Sequence, residues 1–128
     1  MAYPNLAPRF EHWTEHDERV LAYLHNAFGV PPVKQPEGAD LLCGDVRIEV
    51  KSCREWIKKP PCKGDSVGIR RRGRFKFKGH EDADFILFVC ERPDGELLLT
   101  ILDTETLFTR FGRYVSTIVW PLIFHAFP

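Results

Sequence analysis

Apolar residues recur at helical spacing before the first glycine. Val20, Leu21, Leu24, Ala27 and Phe28 fall on one stripe of a helix that the pattern places over residues 14–28. Thr14, with Asp17 three residues later, supplies an N-terminal cap, and Gly29 followed by Pro31-Pro32 ends the element. The period then drops to two. Leu41-Leu42-Cys43 reads as a short strand and Gly44-Asp45 as a two-residue turn. Val46 to Ser52 alternates, with Val46, Ile48 and Val50 on one face and Arg47, Glu49 and Lys51 on the other. Residues 53–68 read as loop, with a short helical turn at Trp56 and Ile57, and residues 69–78 as a strand or extended arm with a basic edge. The dense apolar run from Asp84 to Cys90 predicts a central strand buried on both sides. Pro93-Asp94-Gly95 is a turn, Leu97 to Leu102 a strand, and Asp103 or Thr104 the cap of a helix ending at Gly112. A last strand within Tyr114 to Val119 and a terminal turn or helix complete the chain. Helix, strands, helix and strand in this order predict one α/β domain with a mixed sheet over residues 1–128.

Composition narrows the function classes. The 44% hydrophobic and 28% charged content belongs to a globular protein, and 128 residues suffice for one core. No apolar run reaches the roughly 18–20 residues that span a bilayer, and the N-terminus lacks a basic-then-apolar secretion signal. An intracellular protein without a membrane partner is expected. Eighteen basic and eighteen acidic residues cancel, but not evenly along the chain. Lys63, Arg70, Arg71, Arg72, Arg74, Lys76 and Lys78, against Asp65 alone, give residues 63–78 a local charge of +6. Such a segment suits the phosphates of DNA, to which Arg and Lys bind without reading sequence. Phe75 and Phe77 within it either pack inward or stack on bases. Cys43, Cys53, Cys62 and Cys90 form no C-x-x-C pair, so spacing speaks against zinc. Cys43 and Cys90 read as small core residues.

The hairpin carries the candidate chemistry. With Gly44-Asp45 as the turn, Leu41 pairs with Ile48 and Asp40 with Glu49, and opposed residues project to the same face. Lys51 shares that face, two residues beyond Glu49. Two carboxylates this close repel unless a positive charge lies between them. Magnesium takes one or two carboxylates and keeps several waters. Asp40 and Glu49 would supply the carboxylates, and the Val50 carbonyl is a plausible third ligand. A metal there would polarise a phosphate oxygen and activate water, while Lys51 would orient or deprotonate that water or stabilise transition-state charge.

Gly38-Ala-Asp40-Leu-Leu-Cys-Gly-Asp-Val-Arg-Ile-Glu49-Val-Lys51-Ser52 resembles the core of the PD-(D/E)XK nuclease superfamily, most nearly the archaeal Holliday junction resolvases and related small endonucleases. Ala39 stands where the motif has proline, and residues 53–83 are unlike those resolvases. The resemblance implies a restriction-endonuclease-like sheet flanked by helices, and a Mg2+-dependent endodeoxyribonuclease for which Mn2+ can substitute. Catalytic residues would be Asp40, Glu49 and Lys51. Glu18 matches an early helical glutamate that joins the metal site, and a homodimer is implied. Ser52 and His80 are additional candidates, His80 heading the acidic run Glu81-Asp82-Ala83-Asp84. That run either adds a ligand or base, or simply leads into the buried strand with Asp84 capping its start. Other readings stay open: a restriction-like, repair or homing endonuclease on duplex DNA, a non-catalytic nucleic-acid-binding module, and a zinc protein built on Cys53, Cys62 and His80.

Overall fold

The computed structural model describes residues 17–34, 40–58, 70–79 and 81–126. Helix α1 (Glu18–Phe28) begins at Asp17, whose carboxylate accepts the Arg19 backbone N–H at 2.8 Å. The expected cap at Thr14 lies outside the described residues. Within them the side chain that caps α1 is three residues later, because Asp17 takes the non-helical N-cap conformation. Gly29 closes α1 at φ +76, a left-handed conformation that glycine adopts without strain.

Strands β1 (Val33–Lys34), β2 (Leu41–Cys43), β3 (Val46–Arg54), β7 (Phe85–Glu91) and β8 (Leu97–Asp103) form one mixed sheet in the order β1-β2-β3-β7-β8. The β2–β3 hairpin has the predicted register, Leu41 against Ile48 and Cys43 against Val46. β7 runs parallel to β3, so the chain must cross over between them, whereas β8 returns antiparallel through the Pro93–Gly95 turn.

That crossover departs from the sequence reading. Residues 56–58 form strand β4 (Trp56–Lys58) rather than a helical turn, and β4 pairs with β5 (Arg70–Arg72). The local turn read at Trp56 and Ile57 gives way to this long-range pairing, which residue spacing does not reveal. The basic arm is two strands, β5 and β6 (Arg74–Lys76), split at Gly73. A Cβ on Gly73 would lie 1.7 Å from the Arg54 carbonyl oxygen, so only glycine lets the two backbones meet there. β6 pairs with β9 (Thr117–Val119), reached from β8 through helix α2 (Thr104–Phe111), and helix α3 (Trp120–Ala126) follows. Asp103 caps α2 by accepting the Thr106 N–H at 3.1 Å.

Both sheet faces are covered. On one, Val20 and Leu24 of α1 bury Leu41, Cys43, Ile48, Leu87 and Val89. On the other, Phe75, Phe77, Leu107, Phe108, Ile118 and Ile123 bury Cys53, Ile86, Phe88 and Cys90. β7 is therefore buried on both sides, as its unbroken apolar run requires. Cys53 and Cys90 are register partners, and the Cys53 thiol's hydrogen bond to Cys90 together with burial drives that thiol strongly up, as suits a neutral core group. Cys62 and His80 lie outside the described residues. No helix among the described residues is long and apolar enough to cross a membrane.

Candidate functional site

The site grows from the hairpin's open end. β2 starts at Leu41, and among the described residues β3 has no ladder partner on that side beyond Ile48. Asp40, one step beyond the last pair, fills the gap: its Oδ2 accepts the Val50 N–H at 2.8 Å. In an extended strand a residue's N–H and C=O point to the same side. The Val50 carbonyl is thus directed to the edge where the Asp40 carboxylate sits. Glu49, opposite Asp40 by continuation of the register, alternates with Val50 onto the other sheet face, together with Lys51's apolar partner Phe88.

Lys51 is 9% exposed, unusual for a lysine, and its ammonium is paired with two carboxylates. Its Nζ donates to Glu81 Oε2 at 2.8 Å and lies 3.3 Å from Glu49 Oε2. The Phe77 ring closes another side, its centroid 5.4 Å from Nζ. Glu81 was legible only as part of an acidic run, yet its side chain is 1% exposed and accepts three donors: Lys51, the Lys78 N–H at 2.7 Å and the Gly79 N–H at 3.2 Å. Burial pushes the Glu81 carboxyl up, but the hydrogen bonds and charge of Lys51 and the Lys78 N–H outweigh it and hold the group below its ordinary value. No sequence pattern marks a pairing across thirty positions. Asp84 does tie the strand starts together, accepting the Arg47 N–H at 2.9 Å, and that bond keeps its carboxyl below the ordinary value despite slight desolvation.

Two expected site residues are placed elsewhere. Glu18 starts α1 near the β7–β8 turn, for Arg19 donates to the Gly95 carbonyl there, while the α1 C-terminus packs Phe28 on Phe85. The helix crosses the sheet diagonally, on the face away from Glu49 and Lys51. Ser52 pairs with Val89 and alternates onto that α1 face too, since successive strand residues alternate sides.

Of the basic segment, Arg71, Arg72, Arg74, Lys76 and Lys78 are exposed, whereas Phe75 and Phe77 are core residues and unavailable for base stacking. Arg72 lies over Trp56 at 5.7 Å, which stiffens the β4–β5 hairpin. Lys63 and the Arg70 side chain fall outside what is described.

Among the described residues no group of three or more His, Cys, Asp or Glu side chains could hold a metal ion. The structure ties Asp40 to the Val50 N–H and leaves Glu49 paired with Lys51 at the hairpin end. No known family, curated protein or solved structure matches this chain.

Proposed function

We propose that the protein is a Mg2+-dependent endodeoxyribonuclease with a restriction-endonuclease-like fold, acting on DNA as a homodimer. The observation that carries this reading is the Asp40–Val50 hydrogen bond. It fixes a carboxylate at the end of a hairpin whose other strand presents Glu49 and Lys51 on either side of Val50. Asp40, Glu49 and the Val50 carbonyl would hold the cation, which when bound supplies Lewis-acid activation of water and a scissile phosphate.

The protein's own residues do the remainder. Lys51, an ammonium pointed between two carboxylates, donates hydrogen bonds to the phosphate oxygens as charge builds on them. Phe77 and Phe88 keep that ammonium in a partly dry setting, where its charge counts for more than in water. Arg71, Arg72, Arg74, Lys76 and Lys78 continue from the crossover to the turn that meets Lys51, so a DNA backbone lying along them leads toward the site. The homodimer follows from the resemblance to the resolvases, since one site cuts one strand.

The test is cleavage of four-way junction, flap, nicked and linear DNA with Mg2+, by the intact chain and by Asp40→Asn. Cutting of a substrate by the intact chain, abolished in the variant, supports the reading. The preferred substrate separates junction resolution from duplex cleavage. Binding to all four without cutting favours a non-catalytic binding module.

A further inference from the structure

Lys51 stands between two carboxylates of unequal freedom. Glu81 is fixed by two backbone N–H groups, of Lys78 and Gly79, and its side chain is 1% exposed. Glu49 is 23% exposed at the open end of the hairpin. Nζ is 2.8 Å from the first and 3.3 Å from the second, so the ammonium leans toward Glu81. An ammonium and a divalent cation are rivals for one carboxylate, because each neutralises it and takes its lone pairs. A lysine two residues along the same strand face could close fully on Glu49. What draws it back is a carboxylate thirty positions away, oriented by backbone donors at the end of the basic arm.

We propose that Glu81 is a positioning residue that holds Lys51 off Glu49, leaving Glu49 open to a divalent cation while Nζ stays beside it. This rests on the nuclease reading above and adds a residue to it. Glu81 touches neither cation nor DNA in this scheme and acts only through Lys51. Lys78 and Gly79 link the end of the basic arm to Lys51, since their backbone N–H groups set where Glu81 points.

The experiment is Mn2+ binding by calorimetry, without DNA, to the full chain and to Glu81→Gln, Lys51→Ala and the double variant. Glu81→Gln is expected to weaken Mn2+ binding about tenfold, the scale of removing a group that orients a metal ligand. In the Lys51→Ala background the same change should do nothing further, because there is no lysine left to restrain. Equal binding by Glu81→Gln and the intact chain overturns the proposal. So does a weakening that persists without Lys51, which is what a merely structural role would give. If Glu81→Gln does not fold, Glu81→Asp keeps the charge but withdraws it by one methylene, and the same comparison with and without Lys51 decides. An intact chain that binds no Mn2+ is a different failure: it removes the metal reading itself.

Discussion

The two faces of the central sheet are made by the same strands and filled in opposite ways. On the α1 face, one helix lays Val20 and Leu24 over Leu41, Ile48, Leu87 and Val89. On the other, cover comes from β6, α2, β9 and α3, and the aromatic cluster gives way at its margin to Glu49, Lys51 and Glu81. Alternation in β3 alone decides which residue goes where: Ile48 and Val50 to the helix, Glu49 and Lys51 to the patchwork. A single helix can offer a strand only one continuous stripe. A surface assembled from several segments can place an ionic partner, a ring and two backbone donors around one ion pair. Both faces bury charge beside counter-charge: Asp17 with Arg19 on the α1 side, and Lys51 with Glu49 and Glu81 under the composite cover, where rings and backbone donors complete the shell.

The sharpest way to break the comparison is Lys51→Ala. It should lower the proposed Mg2+-dependent cleavage by about 100- to 10,000-fold, whereas a wild-type rate would remove Lys51 from the chemistry. Next come matched truncations on the two faces. Phe75→Ala removes a ring packed 4.8 Å from Phe88 and should cost about 3–5 kcal/mol by chemical denaturation. Because Phe88 is Lys51's register partner, cleavage by the folded fraction should fall as well. Leu24→Ala should cost about 2–5 kcal/mol and leave that cleavage unchanged. Equal effects on cleavage would mean that the faces are not functionally distinct.

Gly73→Ala should destabilise by about 1–3 kcal/mol, since its methyl meets the Arg54 backbone and not a side chain that can move away. Neutralising Arg72, Arg74 and Lys76 should lower the salt dependence of DNA binding by about 0.9 in slope for each phosphate no longer neutralised, and an unchanged slope would take this edge out of the interface. The smallest effect is on pH. Glu81 is held below its ordinary value of 4.5, so the stability it contributes is complete above that pH and fades as pH falls through the lowered folded value. Urea midpoints followed from about pH 6 to about pH 2 should therefore decline less steeply in Glu81→Gln than in the intact chain.

Much of this was readable from residue order. The α1 stripe, the Gly44-Asp45 turn, the doubly buried β7 and the caps at Gly29 and Asp103 are local signals, each set by residues within a few positions of one another. The hairpin register placed Asp40 beside β3 for the same reason. Trp56 and Ile57 misled because their strand partners, Arg71 and Arg72, lie some fifteen residues on and carry no apolar alternation to announce pairing. Residue order gave no position for Glu18, because a glutamate at a helix start looks the same wherever on the sheet the helix begins.

The sequence by itself determined the elements, the face on which Glu49 and Lys51 project, and the presence of a basic edge, since periodicity and turn chemistry act over short stretches of chain. Only the tertiary structure decided what surrounds them. The parallel crossover brings the end of the basic arm back over β3, and with it Phe77 and the carboxylate of Glu81 to Lys51. Closing a loop of thirty residues depends on the sum of packing across the whole sheet, and no short pattern records that sum.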